Sequence, residues 1–284
     1  MIPAQFEYLA PATLAEALSA LAEHGDDAKI LAGGQSLLPV LRMRLNAPAV
    51  VIDLGKITTL RGIREDGDAI LIGAMTEHSV VGSDPLVAQH AALISKAVEH
   101  LADAQVRHRG TFGGALAHAD PAGDLGAPVL ALNGEFVIAG PGGTRTVPAG
   151  EFFVGLFETV IGEDEILTEV RIPKHTGWGA HYEKFVRVAY QWPIVAVAAT
   201  VRADGGTISE ARIGLTNMGQ TPLRARAVER ALTGQPATAE AVVAAAAQAA
   251  EGTSPPSDLN GDADYRQHLA TVLTRRAVLT AAGA

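Results

Sequence analysis

Ala32-Gly33-Gly34-Gln35-Ser36 and Thr111-Phe112-Gly113-Gly114-Ala115 are the two stretches of this chain whose residue types can build a ligand cradle. Glycine pairs let the backbone enter positive φ and approach a ligand with no Cβ in the way, and successive amide N–H groups then form an anion-binding concavity. The two stretches read as halves of one phosphate site, and a diphosphate between them needs no lysine. Neither fits the dinucleotide fingerprint G-x-G-x-x-G or the P-loop G-x-x-x-x-G-K-[ST], so a Rossmann or nucleotide triphosphatase reading loses its main support.

Behind the second stretch stands His118-Ala119-Asp120-Pro121-Ala122-Gly123-Asp124. Asp124 falls just before an apolar helical run, where it either caps the helix, worth about 1 kcal/mol, or accepts from a ligand hydroxyl. His118 and Asp120 lack a third partner at metal-ligand spacing, so His118 reads as a polar loop residue near the ligand. Arg107-His108-Arg109 helps neutralise a diphosphate or simply ends a helix favourably. Ser36 sits in no G-x-S-x-G elbow and is better as a hydrogen-bond donor than as a nucleophile. Glu163-Asp164-Glu165 reads as a solvated face. Tyr190-Gln191-Trp192 offers either a flat surface for a planar ring or an aromatic plug between subdomains. Lys184, on a strand before it, is a snorkelling surface residue or a donor to a ring carbonyl.

Composition bounds what these residues can serve. With 48% hydrophobic and 19% charged residues in 284, the chain buries a large core and divides into two or three subdomains. Twenty-two Lys and Arg against 31 Asp and Glu give a net charge of −9, which repels nucleic acid. The absence of cysteine removes disulfides, thiolate nucleophiles and iron–sulfur ligation from this chain, so any such cluster belongs to a partner. No apolar run reaches the length of a spanning helix and the N-terminus lacks signal-peptide order, so a cytoplasmic protein is expected.

The elements that position these residues begin with a helix. Thr13 and Glu16 form a capping-box pattern, Leu14, Leu18 and Leu21 recur at helical spacing, and Gly25 ends the run. Strands are expected at 29–31, leading into the first glycine stretch, at 50–54 and at 69–72, with Arg64 to Asp68 as a hydrophilic turn. Residues 85–104 read as mostly helical and 125–132 as a helix, with strands at 135–139 and 166–173. Lys174 to Gly179 breaks the periodicity and marks a boundary. Three strands follow at 182–187, 194–202 and 207–215, the last two joined by Asp204-Gly205-Gly206, and then helices at 224–232, 238–250 and 264–281.

Residues 29–39 and 109–124 resemble the two flavin-binding segments of the FAD subunit of molybdenum hydroxylases, most closely the medium subunit of the aerobic carbon monoxide dehydrogenase type, over essentially the full chain. The resemblance implies an α+β fold. A two-part FAD-binding domain of the vanillyl-alcohol oxidase (PCMH) type spans 1–175, in parts of about 1–55 and 56–175. A smaller C-terminal domain of three antiparallel strands and helices spans 176–284. It further implies that Ala32, Gly33, Gly34, Gln35, Ser36 and Leu37, with Thr111, Gly113, Gly114 and Ala115, hold the diphosphate of FAD. His118 and Asp120 lie near the cofactor, Asp124 meets a sugar or ribityl hydroxyl, Leu167 and Lys184 lie near the flavin, and Trp192 flanks the isoalloxazine.

In that family the chain is the electron outlet of a heterotrimer, itself doubled. A large subunit carries the molybdenum cofactor, a small one carries [2Fe-2S] clusters, and FAD hands electrons to an external acceptor. Two departures are visible: Ala115 stands where the family often has Asn or Ser, and Tyr190-Gln191 where it commonly has Gly-Asp. A stand-alone flavin dehydrogenase of the same fold, or a non-catalytic assembly subunit keeping the glycines only as turns, are the rival readings.

Overall fold

The computed structural model describes residues 2–284. The N-terminal part is built on a three-stranded parallel sheet in the order Glu7–Leu9, Val50–Asp53, Ala28–Leu31. The helix Leu14–His24 carries the expected capping box, with Thr13 at its N-cap, and ends at Gly25 with φ of 49°. Its apolar stripe buries Ala17 and Leu21 against Ile52, Leu54, Ile57 and Leu60. The strand Ala28–Leu31 therefore points its C-terminal end, and the first glycine stretch, at one edge of this layer. The strand Glu7–Leu9 was not legible because three residues, one of them charged, carry no alternation.

A five-stranded antiparallel sheet follows, in the order Ile63–Asp66, Ala69–Gly73, Ile166–Pro173, Glu135–Gly140, Gly143–Pro148. Ile63–Asp66 corrects the hydrophilic turn expected at 64–68. It is an edge strand whose residues after Ile63 face solvent, so its polarity imitates a turn. Gly143–Pro148 is the opposite edge and is polar for the same reason. The helical stretch before the second glycine segment breaks at Ala91 (φ −142°, ψ 45°) into Pro85–His90 and Ala92–Glu99. The second segment is itself mostly the helix Phe112–His118, capped by Thr111.

The C-terminal sheet has four strands rather than three: Gly179–Phe185, Val195–Asp204, Thr207–Thr216 and the two-residue edge Leu223–Arg224. Gly205 and Gly206, at φ of 59° and 81°, make the tight turn that the central hairpin requires. The helices Arg226–Leu232, Ala239–Ala246 and Ala263–Ala282 cover this sheet. The helix Gly126–Ala131 packs against its other side, where a Cβ on Gly214 would stand 2.3 Å from the Ala127 carbonyl oxygen. Between the two parts, the guanidinium groups of Arg202 and Arg212 lie over the Trp178 ring, 5.3 and 5.1 Å from its centroid. Among the described residues no helix is long and apolar enough to cross a membrane.

Candidate functional site

The two glycine segments, remote in sequence, meet. A Cβ on Gly33 would lie 2.2 Å from the Arg109 carbonyl oxygen and 2.6 Å from Gly110 Cα, and one on Gly113 would lie 2.4 Å from Ala74 Cβ. Gly114 would meet Ala32 Cβ at 3.1 Å. Of these glycines only Gly34 has a positive φ, 76°. At Gly33 the missing Cβ therefore lets one segment's backbone pack on the other's, at Gly113 it admits Ala74, and at Gly114 it admits the Thr111 hydroxyl, 2.6 Å from where a Cβ would stand, and the Ala32 side chain. That differs from the expectation that it clears space for a ligand.

The two segments also differ in what their amides do. In the second, Phe112 N–H donates to Thr76 O and Gly113 N–H to Ala74 O, both at 2.9 Å. Ala115 N–H donates to Thr111 O at 3.0 Å and Gly114 N–H to Thr111 Oγ1 at 3.3 Å. In the first, the N–H groups of Gly33, Gly34, Gln35, Ser36 and Leu37 find no protein acceptor among the described residues. Ser36 precedes the helix Leu37–Met43 but makes no side-chain cap. The first segment alone presents a run of free donors, and the second supplies the wall and the Thr111 hydroxyl.

Both segments line one cavity of about 580 Å³, completed by Lys29, Met75, His78, Leu167 and rim residues between Phe157 and Glu165 that include Thr159, Ile161 and Glu163. Lys29 is its only lysine or arginine among the described residues. Glu165 on that rim is not merely solvated as expected: Arg145 holds it through Nε at 2.7 Å and Nη2 at 2.5 Å. A second cavity of about 170 Å³ adjoins, lined by Ala115, His118, Asp120, Asp124, Tyr190 and Trp192. Gln35, Ser36, His78, Ala115 and His118 line both, so the two form one elongated cleft.

His118 is the last helical residue rather than a loop residue, its ring 5.1 Å from that of Phe157. Burial lowers its pKa against the pull of Asp120. Asp120 closes the following turn by accepting from Ala122 N–H at 2.9 Å. Arg107 donates to the carbonyl oxygens of Leu101 and Ala102, in the loop that precedes its own short helix Ala104–Arg107.

Asp124 is not a helix cap: Leu125 holds the N-cap position of Gly126–Ala131, and no side chain caps it. Only 8% exposed, Asp124 accepts from Tyr182 Oη at 2.7 Å (Oδ1) and from Lys184 Nζ at 2.8 Å (Oδ2). Lys184 also donates to His100 O at 2.9 Å. It is thus a buried ion-pair partner behind the smaller cavity rather than a snorkelling surface residue. Burial pushes the Asp124 carboxyl up from its ordinary value, against the opposing pull of Lys184 and the Tyr182 hydrogen bond, and raises Tyr182 well above its own. Tyr190 and Trp192 are 70% and 68% exposed at the mouth of the smaller cavity, which overturns the aromatic-plug reading.

Sequence reasoning did not single out His78, Lys29 or Tyr182. Tyr182 and Lys184 alternate on one strand and so share a face, a period-two signal that pairs them. Nothing in the sequence tied that face to Asp124.

Residues 4–175 match the family described as FAD binding domain in molybdopterin dehydrogenase, and residues 180–281 that described as CO dehydrogenase flavoprotein C-terminal domain. The carbon monoxide dehydrogenase medium chain of Hydrogenophaga pseudoflava is 43% identical over 98% of this chain and 97% of its own. The nicotine 6-hydroxylase medium subunit of Paenarthrobacter nicotinovorans is 38% identical over 96% of each. The solved carbon monoxide dehydrogenase from Hydrogenophaga pseudoflava superposes with a TM-score of 0.96 at 45% identity, covering 99% of this chain and 98% of that one. With both segments forming one cleft and both halves matched, the chain belongs to the family of FAD-binding flavoprotein subunits of molybdopterin dehydrogenases.

Proposed function

We propose that this chain is the FAD-binding electron-transfer subunit of a molybdenum hydroxylase, working with a large molybdenum-cofactor subunit and a small iron–sulfur subunit, in a dimer of such heterotrimers in the cytoplasm. The observation that carries this reading is the run of free amides from Gly33 to Leu37 opening into a cleft that both glycine segments line. The cleft fits the cofactor on three counts: volume within the range of small-molecule pockets, anion donors at its middle, and apolar walls such as Met75 and Leu167. When bound, FAD supplies two-electron chemistry that accepts electrons from the iron–sulfur partner and releases them to an external acceptor.

The chain's own residues bind and orient. Ala32 to Leu37 and Thr111 to Ala115 enclose the diphosphate, with His118 and Asp120 beside it. The Tyr182–Asp124–Lys184 group fixes the floor of the smaller cavity, so Asp124 meets a sugar or ribityl hydroxyl with its remaining lone pairs. Leu167 excludes water from one side, and Trp192, free at the mouth, covers a planar ring. The division of the chain after residue 175 is part of the same reading, because side chains from both sides of it build this cleft. Relatives named for carbon monoxide, nicotine and caffeine each match at least 96% of this chain, which supports assigning substrate choice to the large subunit.

The reading is tested by purifying the complex through a tag on this chain after expression with its two partners. FAD, molybdenum and iron are expected to co-elute, and adding the holoenzyme's substrate bleaches the flavin absorbance without further reductant. A chain that elutes with partners but never with flavin contradicts the reading and leaves an assembly role.

A further inference from the structure

His78 stands where the two cavities join. The residue is 3% exposed and lines both cavities. Nδ1 is sealed from solvent with no hydrogen-bond partner, whereas Nε2 is not sealed and bonds to no protein group among the described residues. A Cβ on Gly110 would lie 2.7 Å from His78 Cδ2 and 2.9 Å from Nε2, so only a glycine there lets the ring sit in this position.

The protonation state follows from these surroundings. A proton on Nδ1 would be a buried donor without an acceptor, and a doubly protonated ring would add a buried charge to that penalty. Burial accordingly lowers the pKa to about 4. The favourable form carries its one proton on Nε2, on a residue that lines the same junction as Gln35 and Ser36 of the free-amide run. Those neighbours are themselves donors, so the group they would share is an acceptor.

We propose that His78 is a neutral hydrogen-bond donor to the diphosphate of FAD, acting through Nε2–H at the junction of the two cavities. It rests on the FAD reading above. An uncharged donor extends the amide run without burying another cation, in a cavity whose only lysine or arginine among the described residues is Lys29.

The test compares the flavin-free full chain with His78→Gln and His78→Asn, titrated with FAD and separately with ADP, which carries a diphosphate but no flavin. The Gln amide nitrogen reaches the Nε2 position and the Asn nitrogen only that of Nδ1. His78→Asn is expected to weaken both ligands about tenfold, with His78→Gln within about threefold of the native chain. Equal affinity in His78→Asn, or a loss confined to FAD, overturns the proposal. A nitrogen-15 histidine spectrum of the native chain gives a readout that needs no variant. The His78 ring is expected as the Nε2–H form, its resonance shifting when ADP binds, and an Nδ1–H form or an unmoved resonance overturns the assignment. A native chain that takes up no FAD removes the flavin reading and this proposal with it. Native uptake with His78→Asn unimpaired removes this proposal alone.

Discussion

Asp124 has a carboxylate oxygen committed to each of two partners before any ligand arrives, Tyr182 on one and Lys184 on the other. Removing it strands a buried ammonium, and breaking a buried pair in this way costs about 3–5 kcal/mol. Asp124→Asn is therefore expected to lower the melting temperature of the flavin-free chain, measured by calorimetry, and Lys184→Met to do the same from the other side. An unchanged melting temperature with weakened FAD binding would restore the plain ligand role. Gly33→Ala is a second case. Its new Cβ would collide with Arg109 O, so the two segments must separate, at about 1–3 kcal/mol. Loss of FAD from a still-folded variant is the expected result, read by absorbance after gel filtration. Both glycine pairs were visible in the sequence, but their physical reason was not. Close approach of one backbone to another is a tertiary fact, and only Gly34 shows the positive φ that local reasoning assigns to such a residue.

At the scale of elements, the link between the two parts depends on an imidazole that must stay neutral. His175 Nδ1 lies 2.7 Å from Pro173 O and Nε2 lies 2.9 Å from Arg212 Nη1, so Nδ1–H donates while Nε2 accepts. Burial first, with Arg212 adding to it, lowers its pKa to about 4 against the pull of Pro173 O. His78, beginning its own short helix, has a pKa near 4 as well. In both, the unfolded chain binds a proton at higher pH than the folded one. Their stability contribution is intact above pH 6.5 and is lost as pH falls from 6.5 toward 4, by roughly 3 kcal/mol for each ring. Urea midpoints between pH 7 and 4 are expected to fall over that window, less steeply in His175→Gln. Thr111→Ala, which removes the cap of Phe112–His118, is expected to cost about 1 kcal/mol in the same assay. Elements with a capping box or a buried apolar run were legible in the sequence, as with Leu14–His24 and Ile166–Pro173. The polar edge strands Ile63–Asp66 and Gly143–Pro148 were not, because half of a strand's identity lies in the neighbour that pairs with it.

Across the whole molecule, side chains from both ends of the chain converge on the cleft. The first sheet delivers the free amides, the second delivers Leu167, and the third sends Tyr182 and Lys184 to the back of the smaller cavity. The likeness of both glycine segments to a known family was readable along the sequence. The inequality of those segments, one donating amides and the other spending its own, emerged only from the hydrogen bonds. The central claim, that this cleft is built for one FAD, is tested most directly by titrating the flavin-free full chain with FAD while following flavin fluorescence and melting temperature together. Saturation at one FAD per chain is expected, with stabilisation of about 2.7 kcal/mol when free FAD reaches a hundredfold over its dissociation constant, and with no saturation in Gly33→Ala. A chain that neither quenches flavin fluorescence nor gains stability, alone or within its assembled complex, would contradict the account.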